Sequence, residues 1–377
     1  MTTRVLTLAA LFLTLASGMV AVGQEPPRIE DIRAAWSDRQ AKAQSLRVEW
    51  NQTNFVVKGG DSVGRISPDG KAMPLNPPDD HSFTSSQTMM IEGDKVTFSF
   101  LRRFWNADAK HYSDFPTELK FTGDRLLSLD RAGFTAWPQA LIRKMQSAGF
   151  PPLSRPILRA FRGVAEKLRP DDLDDCVVTG AFIQIDGRRS YELLAKGSPA
   201  RTEHRLWVDP TRGYVATRST YGEANRSTLQ TDVKYQSDSA LGWVPLSWKL
   251  VEMSWTDGRI TRSSTATVKA CVTSSVEPEA FAFTLPVGTR VVDETGEGPR
   301  NYITKEDGKR RVMGPSDAGK SYDEILSSPG PDESVLRWLW QPVTLVVFVA
   351  GGIVLLFTRV WLSRRRSRHV LPPDAQR

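Results

Sequence analysis

The feature that most constrains the fold is the stretch from Cys176 to Val276, in which strand-like segments alternate with turn sequences. The segments are rich in Val, Ile, Thr, Tyr and Trp, which favour strands. Turn-forming pairs such as Asp186-Gly187 and Asp257-Gly258 separate them. Consecutive hairpins produce an antiparallel meander and not alternating βαβ units. The predicted strands are 177–185, 190–196, 203–208, 214–221, 228–236, 244–255 and 259–272.

The residues before this stretch predict a mixture of helices and strands. Ile29, Ile32 and Trp36 recur at helical spacing and predict a helix from Pro26-Pro27 to about Ser45. Apolar residues then alternate with polar ones, which predicts a strand. Further strands are predicted at 86–91, 95–103 and 117–129, and helices at Ala140–Ala148 and Arg155–Leu168. The predicted fold class is α+β: a large curved antiparallel sheet, or half-barrel, that encloses helices, plus one transmembrane helix.

The two ends of the chain predict its location. Residues 1–23 combine Arg4, an uncharged apolar stretch and a small-residue cleavage site, as in a secretory signal peptide; an uncleaved anchor is the alternative. Residues 338–358 carry no ionisable side chain and would span about 31 Å as a helix, the thickness of a bilayer core. A buried soluble helix is the alternative there. The predicted organisation is signal peptide 1–23, β-rich domain 24–295, juxtamembrane linker 296–337, transmembrane helix 338–358 and basic tail 359–377.

The positive charge of the chain belongs mainly to this predicted anchor. The sequence has 50 basic and 43 acidic residues, a formal charge of +7. Six of the basic residues lie in 359–377, as expected for a cytoplasmic flank. The segment 24–358 is nearly neutral, so we expect no nucleic-acid partner. The predicted protein is a single-pass membrane protein with an extracytoplasmic N-terminal domain, periplasmic in a bacterium, and a cytoplasmic tail.

Three segments resemble the lipoprotein-carrier (LolA-like) superfamily. They are the helix-to-strand passage from Ala43 to Thr53, the Leu-Trp-Val-Asp-Pro-Thr-Arg-Gly sequence at 206–213, and the Phe-Ala-Phe-Thr-Leu-Pro-Val-Gly-Thr-Arg-Val-Val-Asp sequence at 281–293. The resemblance covers roughly residues 27–293. It implies a half-barrel around helices that encloses an apolar cavity for acyl chains. The predicted anchor and longer loops depart from the soluble carriers, which favours a tethered module over a shuttle.

Aromatic residues on the predicted strands are the candidate ligand contacts. Side chains of this kind line lipid cavities, although aromatics on half-buried strands also form ordinary core. The candidates are Phe98, Phe100, Phe121, Trp207 and Trp248.

Other motifs give little support to chemistry. Cys176 and Cys271 would both be exported, and the sequence leaves open whether they form a disulfide or remain two buried thiols. The four histidines are scattered, and no metal or cofactor is expected. Residues 314–321 match the phosphate-loop pattern, but the basic run before them and the short stretch after them predict a juxtamembrane turn.

Three functions follow, in order. The first is a membrane-tethered extracytoplasmic module that binds a lipid, an acyl chain or another apolar ligand, or senses the state of the cell envelope. The second is a non-catalytic structural or interaction protein of the envelope with a filled cavity, acting with a partner protein. The third and weakest is nucleotide binding through residues 314–321. No catalytic constellation is present, so we expect no enzyme.

Overall fold

The computed structural model describes the chain from residue 25 to residue 327 with gaps. The described residues are 25–59, 65–66, 72–73, 79–106, 111–131, 138–144, 155–162, 173, 176–195, 202–223, 226–298, 300–306, 308–314, 317 and 320–327. The predicted signal peptide, membrane segment 338–358 and basic tail lie outside them. The described chain divides into two units. The first comprises the residues up to 285 together with 293–298, and the second comprises 286–292 and those from 300 onward.

Strands dominate the described chain. The helices are α1 Ile29–Lys42, α2 Arg155–Arg162 and α3 Tyr322–Ser327. The strands are β1 Ser45–Val56, β2 Arg65–Ile66, β3 Ala72–Met73, β4 His81–Glu92, β5 Lys95–Asn106, β6 His111–Thr122, β7 Arg125–Asp130, β8 Gln139–Lys144, β9 Cys176–Ile185, β10 Arg188–Ala195, β11 Thr202–Asp209, β12 Val215–Glu223, β13 Arg226–Asp238, β14 Gly242–Met253, β15 Ile260–Val272, β16 Arg290–Asp293, β17 Arg300–Thr304 and β18 Arg310–Val312.

Antiparallel pairing organises the first unit around β1. Its strands follow the order β8-β7-β6-β5-β4-β1-β15-β14-β13-β12-β11-β10-β9. Each neighbour is the adjacent strand along the chain except at β1, which pairs with β4 on one side and β15 on the other. The predicted strands from 177 to 272 all form, with ends shifted by one or two residues. The meander prediction is therefore confirmed.

Side-chain alternation along β1 places one face of the sheet in the core. Leu46, Val48 and Trp50 are fully buried, whereas Arg47 and Glu49 are exposed or half-buried. This matches the period of two expected for a strand with one buried face. We call the face that carries Leu46, Val48 and Trp50 the inner face.

Two apolar clusters lie against the sheet of the first unit. The larger joins inner-face residues of β1, β4, β5, β6 and β12–β15 to Ile157, Leu158 and Phe161 of α2. The smaller joins Ile32 and Trp36 of α1 to residues of β9, β10 and β11. Since isolated short helices are marginal in water, α1 and α2 owe their stability to this packing.

The predicted fold class is wrong. The structure has one 16-stranded sheet that does not close on itself and a separate 2-stranded sheet. Its helices are only 14, 8 and 6 residues long, so the described chain is mainly β and is not an α+β half-barrel wrapped around helices. Among the described residues, no helix has both the length and the apolar character needed to cross a membrane.

The predicted helix at Ala140–Ala148 is also wrong over its described part. Residues 139–144 form β8, which pairs with β7 from Asp130 opposite Gln139 to Arg125 opposite Lys144. Ala140 and Ile142 are buried on one face of this strand. Helix propensity is a weak preference, and the hydrogen bonds of a neighbouring strand override it here.

The second unit is held by short-range contacts. Gly288 N and Thr304 N exchange hydrogen bonds with Thr304 O and Thr289 O, and the Thr304 hydroxyl donates to Pro286 O at 2.5 Å. β17 and β18 form a hairpin with Tyr302 opposite Val312. These bonds tie residues 286–289 to the start of that hairpin.

Candidate functional site

Four of the five predicted ligand contacts belong to one aromatic cluster on the inner face. Phe98, Phe100, Phe121 and Trp248 are at most 7% exposed and share the larger core with Trp50. Trp50 stacks on Phe98 at 5.6 Å between ring centroids and meets Trp248 edge to face at 5.4 Å. Phe98 stacks on Phe100 at 4.6 Å. We call these five residues the aromatic cluster.

Trp207, the fifth candidate, lies elsewhere. Its neighbours on β11, Leu206 and Val208, are buried in the smaller core, whereas Trp207 is half-buried. Successive side chains of a strand point to opposite faces, so Trp207 faces away from that core. The structure does not bring it to the aromatic cluster.

Beyond the aromatic cluster, the inner face becomes polar without becoming exposed. Continuing along β1 from Trp50, the next two inner-face residues are Gln52 and Asn54, which are 0% and 4% exposed. On the neighbouring strands, Ser85, Gln87 and Ser264 are also buried, at 6%, 2% and 2%. We call these five residues the inner polar strip. All of its side chains are neutral amides or hydroxyls.

Strand register brings the members of the inner polar strip together. Gln52 lies opposite Ser85, and Asn54 lies opposite Ser264, on the two strands that flank β1. Gln87 lies opposite Trp50, at the edge of the aromatic cluster. Residues directly opposite on antiparallel strands have Cβ atoms about 5 Å apart, so the strip is one continuous surface.

Hydrogen bonds satisfy only part of the inner polar strip. Trp50 Nε1 donates to Gln52 Oε1 at 3.4 Å, and Gln52 Nε2 donates to Asn54 Oδ1 at 2.7 Å. Gln87 Nε2 donates weakly to the Ser85 hydroxyl at 3.4 Å. These bonds run along β1 and β4 and do not cross between them.

Three polar atoms on this surface are buried and have no hydrogen-bond partner in the described part of the chain. They are Gln87 Oε1, Ser264 Oγ and Trp248 Nε1. A buried unsatisfied polar group destabilises a protein by about 1–3 kcal/mol, and most native structures avoid it. Their concentration beside the aromatic cluster marks this place as the candidate functional site.

Helix α2 brings a cation to the same face. Arg159 is 7% exposed; its Nη1 donates to the Ser219 hydroxyl at 2.5 Å, and its Nη2 lies 2.8 Å from His204 Nε2. A guanidinium can only donate, so Nε2 of His204 is the acceptor and its proton is on Nδ1. The three residues connect α2 to β11 and β12.

The two cysteines are free thiols. Cys176 is buried on β9, and Cys271 is half-buried on β15 beside the larger core. In the sheet order, β10 to β14 lie between those two strands. Burial, with a contribution from Asp238, raises the pKa of the Cys271 thiol to about 12.

The phosphate-loop match at 314–321 surrounds a carboxylate of its own chain. Asp317 is 4% exposed and accepts hydrogen bonds from Arg311 Nη1 and Nη2 at 3.2 and 2.9 Å. Gly314 N and Lys320 Nζ donate to the same carboxylate at 3.0 and 3.2 Å. The lysine of the motif therefore has an internal anion as its partner.

Residues that could hold a metal were sought in the same way. Within the described ranges, no three His, Cys, Asp or Glu side chains lie close enough together to form a metal site.

Sequence reasoning found the aromatic cluster but missed the inner polar strip. The signal was present in β1, where the alternation that buries Leu46, Val48 and Trp50 continues to Gln52 and Asn54. Polar residues at core-facing positions of a strand are unusual and point to function or to a special hydrogen-bond network.

Comparison with known proteins gives only distant similarity. No protein-family model and no curated protein matches the chain. Among solved structures, it is similar to a DUF1329 family protein from Desulfovibrio piger (12% identity, 69% of this chain and 98% of that chain, TM-score 0.35). It is also similar to a LolA superfamily protein from Nitrosomonas europaea (10% identity, 67% and 97%, TM-score 0.38). LprF from Mycobacterium bovis is a third (11% identity, 67% and 97%, TM-score 0.23). The second bears the name of the superfamily that the sequence motifs resemble. With TM-scores below 0.5, these similarities carry no functional argument, which rests on the site itself.

Proposed function

We propose that the first unit is a binding module for an amphipathic ligand such as a lipid. The apolar part of the ligand lies against the aromatic cluster, and its uncharged polar part meets the inner polar strip. The observation that carries this proposal is the set of three buried polar atoms without partners beside five packed aromatic rings.

The chemistry of the inner face supports a neutral polar group on the ligand. Gln87 Oε1 accepts a hydrogen bond, Trp248 Nε1 donates one, and Ser264 Oγ does either. A hydroxyl, ester or amide group both donates and accepts or accepts alone, and so satisfies them. A charged headgroup at this point would be buried without a counter-ion among the strip residues, which is strongly unfavourable.

Helix α2 controls access in this proposal. Ile157 and Phe161 of α2 are 0% and 1% exposed because they pack against the aromatic cluster. An acyl chain that replaces these contacts makes equivalent apolar ones, since burial is non-directional and scales with area. The ligand therefore exchanges with α2 at the inner face, and no catalytic step is involved.

Native mass spectrometry of the detergent-purified full chain tests the proposal. The expected result is a co-purifying lipid in the wild type, reduced in Gln87→Leu and Ser264→Ala. Thr88→Ala, a change on the opposite face of β4, is the matched control and keeps the lipid. A wild-type protein free of lipid, with no mass shift on addition of monooleoylglycerol, would overturn the proposal.

A structural role with a filled interior is the second candidate. The observation that favours it is the close packing of α2, whose Ile157, Ala160 and Phe161 are at most 3% exposed in the larger core. In this case the protein acts through a partner in the cell envelope. Crosslinking of Phe161→Cys to a strand cysteine at Phe98→Cys separates the two: it abolishes lipid exchange in a carrier and leaves partner binding intact in a structural protein.

The proposed site of action is outside the cytoplasm, at a membrane, as the sequence of the two chain ends suggests. A reporter enzyme fused to the C-terminus checks this topology. Cytoplasmic reporter activity together with protease access to the first unit from outside is the expected pattern; the opposite orientation would contradict it.

A further inference from the structure

Three turns of the first unit form a pocket that is separate from the inner face. They are the β9–β10 hairpin, the β11–β12 turn and the β13–β14 hairpin. The depression between them has a volume of about 500 Å³ and is lined by Gly187, Arg188, Arg189, Thr211, Arg212 and Trp243. We call it the arginine pocket. The inner polar strip lies towards the opposite ends of these strands, where β1 ends and β15 begins.

The pocket carries an excess of positive charge. Arg188 and Arg189 have no ion-pair partner among the described residues, and Arg189 lies over the ring of Phe182 at 4.8 Å. Arg212 is the only one of the three with a carboxylate nearby, since its Nε lies 3.5 Å from Asp209 Oδ2. Asp209 is 1% exposed and lies behind the pocket wall. Three guanidinium groups therefore face one buried carboxylate.

Arg212 is held in place without being satisfied. Its guanidinium lies over the ring of Trp243, 5.0 Å from the centroid. Its buried Nε forms no hydrogen bond, although Asp209 is near. Stacking on an indole fixes the plane of a guanidinium and leaves its outer N–H groups available to a ligand.

The turn that carries Arg212 is braced from below by α1. Trp36 Nε1 donates to Tyr214 O at 2.6 Å, and Arg39 Nη2 donates to Gly213 O at 2.5 Å. The Asp209 carboxylate accepts from Thr211 N at 2.9 Å. Gly213 and Tyr214 both have φ near +60°, at 62° and 61°. A turn fixed by these bonds loses little conformational entropy when a ligand binds.

From these features we infer that the arginine pocket binds a phosphate group. Planar guanidinium groups match the oxygens of phosphate in a bidentate arrangement, and several of them around one cavity are typical of phosphate recognition. The indole of Trp243 provides an apolar wall for the part of the ligand that carries the phosphate. The phosphate belongs either to a lipid headgroup or to a soluble phosphate ester; this site is independent of the proposed neutral site on the inner face.

Isothermal titration calorimetry on the full chain in a neutral detergent tests this inference. The probes are dihexanoyl phosphatidic acid, glycerol 3-phosphate and inorganic phosphate. The test variant is Arg188→Gln with Arg189→Gln. The matched control is Lys95→Gln with Arg125→Gln, which removes two exposed cations that also follow tight turns.

The expected result is phosphate binding that weakens with added salt, falls about tenfold or more in the arginine variant and is unchanged in the control. Binding of phosphatidic acid alone identifies a lipid headgroup, and equal binding of glycerol 3-phosphate identifies a soluble ester; both support the site. Absence of binding by every probe, or equal affinity in the wild type and the arginine variant, overturns it. Thermal unfolding checks that the variant is folded, and Arg188→Gln alone, a change at an exposed side chain, replaces it if it is not.

Discussion

Trp50 and Trp248 meet edge to face at 5.4 Å across β15, which separates their strands in the sheet. One comes from the first strand of the sheet and the other from the second-last strand of the meander, about two hundred residues further along the chain. Their contact joins the two halves of the first unit and forms the wall of the proposed ligand site. The stability of the unit and its ligand binding therefore depend on the same pair of rings.

Replacing Trp248 by Ala should destabilise the first unit strongly. Trp248 is 3% exposed, and removing a buried aromatic side chain lowers the free energy of unfolding by about 3–5 kcal/mol. Trp255→Ala is the control, because Trp255 is 51% exposed. Urea unfolding followed by circular dichroism measures both. Similar losses in the two variants would mean that Trp248 is not part of a packed core.

Gln87→Leu should raise the stability of the ligand-free protein. The change removes an amide oxygen that is buried without a partner, which relieves an unfavourable contribution of about 1–3 kcal/mol. Gln52→Leu should do the reverse, since it leaves Trp50 Nε1 and Asn54 Oδ1 without their partner. Thermal unfolding after delipidation compares the two. A loss of stability in Gln87→Leu equal to that in Gln52→Leu would contradict the assignment.

The second unit should lose stability in acid through Asp317. Hydrogen bonds from Arg311 hold the pKa of this carboxyl well below its usual value of 3.8. The unfolded chain therefore takes up the proton first as the pH falls. The stabilisation is complete above pH 3.8 and decreases as the pH falls towards the folded-state pKa.

Asp317→Asn isolates this contribution. Hydrogen exchange over residues 300–327 should be faster in the variant than in the wild type at neutral pH. The two should converge in strong acid. Asp323→Asn, at an exposed position, is the control. A constant difference at all pH values would show that Asp317 acts by packing alone.

Cys271 should resist alkylation in the folded protein. Burial raises the pKa of its thiol to about 12, so the reactive thiolate is scarce at neutral pH. Iodoacetamide labelling read by peptide mass spectrometry should be slow in buffer and fast in urea. Rapid labelling of native protein at Cys271 would show that the thiol is accessible and its pKa ordinary.

Local sequence patterns predicted much of the sheet because strands and turns follow short-range rules. Asp186-Gly187 forms the β9–β10 turn with φ values of 50° and 74°, as such a pair favours. The alternation of β1 correctly placed Trp50 on the buried face. The same patterns failed at Ala140–Ala148, where six residues lack enough periodicity to distinguish a strand from a helix.

The inner polar strip was not predictable from local patterns. Gln52, Ser85 and Ser264 are far apart in sequence and meet only because β1 pairs with both β4 and β15. The same holds for the arginine pocket, whose three turns are neighbours only in the folded sheet. Register between distant strands depends on the packing of the whole inner face.

The sequence by itself determined the hairpins, the turn positions and the side-chain alternation, because each depends on residues that are neighbours along the chain. Only the tertiary structure decided which strands flank β1, which polar side chains remain buried without partners, and that Asp317 occupies the anion position of its own loop. These features depend on contacts between distant segments, whose formation is set by the collective burial of apolar surface and the pairing of backbone hydrogen bonds.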